Sequence, residues 1–95
     1  MTIHLNLDMS LSREEFLRLL PAAVGLSPVE EVAGVFRGSD GSRGWTLRLM
    51  PLADRRVGSV VLPRHRVELR FDGYSEADVE AFMVRFHRGF QRGGG

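Results

Sequence analysis

The 95-residue sequence contains no cysteine, no lysine and no long hydrophobic run. Without cysteine, disulfide bonds, thiolate catalysis and cysteine-based zinc sites are excluded. No apolar segment approaches the ~18 residues of a membrane span. The segment from Met1 to Leu7 also lacks the basic and continuous apolar regions of a signal peptide. These absences predict a cytoplasmic protein that contacts no membrane.

What the sequence does contain is the composition of an ordinary globular domain. Hydrophobic residues make up 43% of the chain and charged residues 26%, and both fractions are usual for folded proteins. A chain of this length has room for one hydrophobic core. We therefore expect a single domain over residues 1–92, followed by a flexible glycine tail at residues 93–95.

The basic residues are unusual because all 13 of them are arginine, although the net charge is only +1. Codon bias in a GC-rich bacterial genome would explain such a bias along the whole chain. Selection for planar, two-pronged contacts to phosphate or carboxylate groups would also explain it, because lysine cannot make those contacts. The type of residue alone does not distinguish the two explanations.

Alternating apolar and polar residues predict the β-strands. A glycine-rich stretch at residues 38–44 is typical of a hairpin loop between two of them. The pattern leaves open whether residues 57–71 form one bent strand or two. The predicted strands cover residues 3–7, 29–37, 44–52, 57–62 and 66–71.

Two segments carry the signals of helices. Ser12 and Glu15 form a capping-box pattern at the start of the first helix, and Pro21 predicts that this helix ends or is distorted there. Ser75, with Asp78 three residues later, predicts the start of the second helix. Its apolar residues recur at the helical spacing of a core-facing stripe, namely Val79, Phe82, Met83, Phe86 and Phe90.

The order of elements predicts an α+β fold. Read along the chain, it is β-α-β-β-β(-β)-α. Consecutive strands joined by short turns form an antiparallel sheet, and the apolar faces of both helices must be buried against it. We therefore expect a sheet of four to five strands with two helices packed on one face.

No motif in the sequence indicates catalysis. His4, His65 and His87 do not have the spacing of metal ligands, and we expect them to be ordinary exposed residues. No serine lies in a nucleophile elbow. The glycines of residues 38–44 lie between two strands and not before a helix, where they would bind phosphate. The sequence predicts no catalytic residue, no metal and no cofactor, and hence a protein that is not an enzyme.

The sheet face opposite the helices carries the strongest signal of a partner. It is rich in arginine, and neighbouring loops add more. Phosphate contact is one possibility, but the strands lack exposed aromatic residues for base stacking, and Glu68 lies between two arginines. The candidate surface comprises Arg48, Met50, Arg55, Arg56, Arg64, Arg66 and Arg70.

Three functional hypotheses follow. The first is a small bacterial protein-interaction or assembly module, a homodimer that buries apolar side chains lying outside the core, such as Met50, Val35, Val60 or Val61, and Val84. The second is a nucleic-acid-binding domain that uses the arginine-rich face. The third is a carrier protein, since the final Gly-Gly resembles the C-terminus of ubiquitin-like and sulfur-carrier proteins, although theirs follows a strand and this one follows a predicted helix.

Overall fold

The protein is an antiparallel five-stranded sheet with two helices, as the sequence predicts. The computed structural model describes residues 2–25 and 30–90. The strands lie in the order β1-β5-β4-β3-β2, so the first strand reaches one edge of the sheet and the second strand the other. In chain order the elements are β1 (Thr2–Met9), α1 (Arg13–Val24), β2 (Glu30–Val32), β3 (Val35–Asp40), β4 (Arg43–Val57), β5 (Val60–Asp72) and α2 (Glu76–Phe90).

The core lies between the sheet and the two helices. Alternate residues of each strand point to the same face, and the central strands β4 and β5 contribute side chains that are almost fully buried. Phe16 of α1 packs against Phe36 of β3, with 6.2 Å between ring centroids. Phe82 of α2 packs against Phe71 of β5, with 5.0 Å between centroids. Both helices therefore cover one face of the sheet, and the opposite face is left open.

Helix α1 starts as predicted, and of the two outcomes left open at Pro21 it does not end there. The Glu15 backbone N–H donates to the Ser12 hydroxyl over 3.2 Å, which caps the helix. The helix then passes through Pro21 and ends at Gly25, which adopts the left-handed conformation and donates its N–H to the Pro21 carbonyl. Pro21 is exposed, so its ring meets water there, and the last turn closes in spite of its missing N–H.

Helix α2 begins with a reciprocal cap. The Ser75 N–H donates to the Asp78 carboxylate over 3.0 Å, and the Asp78 N–H donates to the Ser75 hydroxyl over 3.1 Å. Asp78 also pairs with Arg43, at 3.1 Å. The pKa of Asp78 is lowered, mainly by the hydrogen bonds from Ser75 and further by the Arg43 charge. All five residues of the predicted stripe belong to the core cluster or pack against it.

The strand boundaries between residues 29 and 44 differ from the prediction. Residue 29 lies outside the described residues. The strand predicted for residues 29–37 is broken by a turn at Ala33 and Gly34, which separates β2 from β3. The predicted loop of residues 38–44 is reduced to a two-residue turn. Gly38 belongs to β3 and not to the loop. A glycine is favoured at this position because a Cβ would lie only 2.7 Å from the Trp45 ring, which occupies that space.

Strands β4 and β5 form a hairpin that is longer than the sheet around it. Strand β3 pairs with β4 only as far as Arg48, and β1 pairs with β5 only from His65 onward. Residues 52–64, here called the arm, therefore extend beyond both neighbouring strands. A register shift between Leu52 and Arg55 marks the base of the arm. Residues 60–71 belong to one continuous strand, and a tight turn at residues 58–59 separates them from β4.

Candidate interaction surface

The seven residues predicted for the partner surface lie on the open sheet face and on the arm. Arg48 stands between Val35 and Glu68 in neighbouring strands. Arg66 and Arg70 follow on β5, where Arg66 faces Met50 on one side. The arm contributes Arg55, Arg56 and Arg64. The alternation of the strands thus brings Arg48, Met50, Arg66 and Arg70 together, whereas Arg55 and Arg56 extend away from that group.

Acidic side chains neutralise part of the arginine set. Arg64 binds both carboxylate oxygens of Asp8. This hydrogen bonding lowers the pKa of Asp8, and the charges of Arg64, Arg55 and Arg66 lower it further. Arg70 pairs with Asp72 at 3.3 Å. The positive charge of the open face is therefore smaller than the arginine count suggests.

Four arginines of this surface have no ion pair among the described residues. They are Arg48, Arg55, Arg56 and Arg66, and all four are exposed. Arg55 and Arg66 both lie close enough to Asp8 to affect its pKa. Because Arg64 already occupies that carboxylate, this end of β5 and the base of the arm keep a local excess of positive charge.

Apolar side chains are exposed at the tip of the arm. Val57, Val60 and Val61 have 57%, 52% and 49% of their surface accessible. Val84 of α2 is exposed as well, whereas Val35 and Met50 are only half-exposed. Val57, which the sequence analysis does not name, is opposite Val60 across the hairpin and shares its face of the arm, whereas Val61 points to the other face.

The two edges of the sheet differ in their protection against further strand pairing. An edge strand presents unpaired N–H and C=O groups, which proteins usually guard by shortness, charge, proline or bulges. Strand β2 has three residues, two of them glutamates (Glu30 and Glu31), so this edge is guarded. Strand β1 has eight residues in unbroken register with β5 and contains no proline, glycine, lysine or arginine. Its one charged residue at neutral pH, Asp8, is neutralised by Arg64. Among the described residues, no strand pairs with its outer side.

Strand β1 also leaves apolar surface incompletely covered. On the helix side, its four apolar residues (Ile3, Leu5, Leu7 and Met9) are half-exposed, whereas Leu69, which is opposite Leu5 in the sheet, is buried. The helices therefore cover the centre of the sheet better than this edge. The alternating pattern of residues 3–7 predicts the strand, but it contains no signal of the position at the edge, since that depends on pairing with a segment about sixty residues away.

The histidines do not all behave as expected. His4 and His87 are exposed, as predicted, but His65 is half-buried. The His65 Nδ1–H donates to the Leu11 carbonyl over 2.9 Å and so fastens β5 to the segment before α1. The expectation of an ordinary exposed residue is wrong for His65, because the register of β5 against β1 carries it under Leu11.

Within residues 2–25 and 30–90, no three histidine or acidic side chains come together as metal ligands would, and no helix is long and apolar enough to cross a membrane. The glycine tail at residues 93–95, with the Gly-Gly of the carrier hypothesis, lies outside the described residues. Comparisons with protein families, curated proteins and solved structures give no significant match.

Proposed function

We propose that this chain is a non-catalytic bacterial protein-interaction and assembly module that works in the cytoplasm as a homodimer. The observation that carries the proposal is the unguarded edge of the sheet. Strand β1 offers an edge eight residues long, on which alternate residues direct their N–H and C=O groups away from β5, and its apolar side chains are half-exposed. Pairing with another strand would satisfy the backbone groups and bury the side chains at the same time.

The exposed valines of the arm support the same class of function. Val57 and Val60, opposite each other at the hairpin tip, form exposed apolar surface on one face of the arm, and Val61 exposes more on the other face. Such surface is typical of protein contacts. The partial neutralisation of the arginines by Asp8 and Asp72 also favours a protein partner over a polyanion.

Sedimentation velocity across nanomolar to high micromolar protein concentration tests the proposal. We expect a reversible shift from monomer to dimer, with half-conversion in the micromolar range. A monomer over the whole range would contradict homodimerisation. The salt dependence should be small, because strand pairing and apolar burial depend little on ionic strength.

A second candidate function is binding of single-stranded or duplex nucleic acid at the base of the arm. The observation that favours it is the group of arginines that form no ion pair within residues 2–25 and 30–90, namely Arg48, Arg55, Arg56 and Arg66. Two of them, Arg55 and Arg66, lower the pKa of Asp8. Fluorescence anisotropy with labelled DNA and RNA at low and near-physiological salt tests this candidate. Phosphate contacts require affinity that falls steeply with salt.

The matched variants for that measurement are the double substitution Arg55→Ser/Arg56→Ser and the control Arg18→Ser. Arg18 is exposed on α1, away from the arm. Weaker binding of the double variant, with the control unchanged, would support nucleic-acid binding at the arm. Absence of binding at low salt would remove this candidate.

A further inference from the structure

The outer-face residues of β1 form a sequence that is complementary to itself when reversed. His4, Asn6 and Asp8 occupy alternate positions of the strand and point to the open face. If a second copy of the strand runs antiparallel with the two Asn6 residues opposite each other, each His4 lies opposite Asp8 of the other copy. The same register places Leu5 opposite Leu7 and Ile3 opposite Met9 on the helix side.

We propose that two copies of this chain pair through β1 in that register, with the two-fold axis passing between the Asn6 residues. The inference rests on the proposed homodimer and specifies its interface. Residues 3–9 of both copies take part, which gives a contact about 24 Å long at ~3.4 Å per residue. The two sheets join into one sheet of ten strands.

Alternation excludes half of the alternative registers. Side chains of opposed residues lie on the same face of a sheet, so a shift that sets odd residues against even ones would bring half-buried leucines against polar residues. Only registers centred on a residue keep the apolar set on the helix side. Among these, centring on Leu5 sets His4 against Asn6, and centring on Leu7 sets Asp8 against Asn6. The register centred on Asn6 brings the basic ring and the carboxylate together, and it does so twice.

The charged neighbours of these groups are compatible with the register. Within one copy, His4 faces Arg70, which is held by Asp72, and Asp8 faces Arg66 while binding Arg64. A carboxylate has about four lone-pair sites, so Asp8 can accept from Arg64 and from a second donor. The two Asn6 side chains each carry donors and an acceptor and can therefore bond to each other.

The pairing also removes the exposed edge that the single chain carries. After it, the sheet edges left among the described strands are the two copies of β2, which are short and carry Glu30 and Glu31, and the edges of the arm, which contains Pro63. A two-fold axis perpendicular to the sheet keeps all four helices on one side. The dimer is thus closed and has no unguarded edge from which further copies could add.

Single-cysteine cross-linking tests the register, because the chain has no cysteine of its own. Directly opposed residues have Cα atoms about 4.5 to 5.5 Å apart, within the range of a disulfide. Asn6→Cys should therefore form a covalent dimer on oxidation or with a short bis-maleimide. In His4→Cys the two thiols would be ~13 Å apart along the strands and should form it far more slowly. Cross-linking of Val57→Cys would show instead that the arms of two copies contact each other.

Circular dichroism confirms that each variant is folded, and sedimentation velocity on the unmodified chain reports whether a dimer forms. Fast cross-linking of Asn6→Cys alone supports the register. If the chain dimerises but Asn6→Cys cross-links no faster than His4→Cys, or Val57→Cys cross-links fastest, this interface is wrong while the proposed homodimer stands. A chain that stays monomeric overturns both.

Discussion

Gly89 shows how one position can reverse the usual effect of a substitution. An alanine in place of glycine within a helix normally adds about 1 kcal/mol of stability. A Cβ at Gly89, however, would lie 2.2 Å from the Ala23 Cα of the facing helix, and backbone atoms cannot yield as a side chain can. We expect Gly89→Ala to lower the free energy of unfolding by about 1 to 3 kcal/mol.

Urea unfolding of Gly89→Ala measures this effect, and Gly44→Ala provides the matched control. Gly44 lies in β4, has no positive φ, and a Cβ there would meet nothing closer than 3.9 Å. Its substitution should leave stability unchanged or slightly raised. A Gly89→Ala variant as stable as the original chain would show that the helices separate without cost.

The stability that Asp78 contributes at the start of α2 depends on pH. The hydrogen bonds from Ser75 and the charge of Arg43 hold the pKa of Asp78 below 3.8. A carboxyl with a lowered folded-state pKa contributes stability that is fully present above its unfolded-state pKa and is lost as pH falls through the folded-state value. Asp78→Asn should therefore destabilise the chain at pH 7 and have little effect at pH 2.

Urea midpoints at several pH values test this expectation. Glu80→Gln, an exposed carboxylate of the same helix, is the control, and we expect its midpoint to follow that of the original chain. An equal loss for Asp78→Asn at both ends of the pH range would show that packing, and not charge, accounts for the role of Asp78.

Helix α1 contains a proline at which the sequence leaves two outcomes open, an end or a distorted last turn, and the helix does not end there. Pro21 is exposed and removes one N–H from a helix that nevertheless continues to Val24. Pro21→Ala should restore a hydrogen bond to the Leu17 carbonyl. Alanine also gives the unfolded chain more conformational entropy, which offsets part of this effect. The expected net increase in the free energy of unfolding is about 1 to 2 kcal/mol.

Thermal denaturation followed by far-UV circular dichroism measures this gain. Moving the proline by one position, as Pro21→Ala/Ala22→Pro, should cancel it, because Ala22 is equally exposed and would lose its own N–H donor. If Pro21→Ala were neutral or destabilising, the proline ring would have to contribute contacts that outweigh the missing bond.

The helices and the face assignment of the strands follow from local patterns, whereas the ends of strands do not. Ser12 and Ser75 cap where the sequence predicts, because capping is decided within four residues. The conformational freedom of Gly38 predicts a loop, yet the residue lies in β3. What the position requires is the absence of a Cβ, since the Trp45 ring occupies that space. That contact depends on the pairing of two strands and cannot be read from either strand alone.

For the candidate surface too, local patterns predict one part and long-range pairing decides the rest. Period-two alternation correctly places Arg48, Arg66 and Arg70 on one face. It cannot show that Arg64 is neutralised by Asp8, since the two are 56 positions apart and meet only through the register of β1 on β5. The edge position of β1 has the same origin, and it identifies which strand an edge contact would use.

At the scale of the whole molecule, the two edges of the sheet differ in how well they are protected against pairing with another strand. One edge ends in a short acidic strand, and the other presents a regular strand of eight residues. Pro51 lies just before the arm and Pro63 lies within it, and proline has no N–H to donate to an added strand. The geometry thus directs pairing to β1, where a second copy supplies the complementary sequence.

The His4–Asp8 contacts of that interface make a prediction about association. His4→Asp would set a new carboxylate against Asp8 of the other copy at two places, and like charges directly opposite each other are destabilising. Within one chain the new carboxylate would face Arg70, so the folded monomer should be retained. We expect the dimer dissociation constant to rise about tenfold, equivalent to ~1.4 kcal/mol.

Sedimentation velocity on His4→Asp and on Thr46→Asp separates this effect from a general effect of charge. Thr46 faces Arg70 from the other side, on the central strand β4, so its substitution adds the same charge next to the same arginine without reaching the edge. We expect Thr46→Asp to dimerise like the original chain. Equal weakening by both variants would point to an interface on the open sheet face. No weakening by either would place the contact away from both β1 and the open sheet face and would overturn the proposed interface.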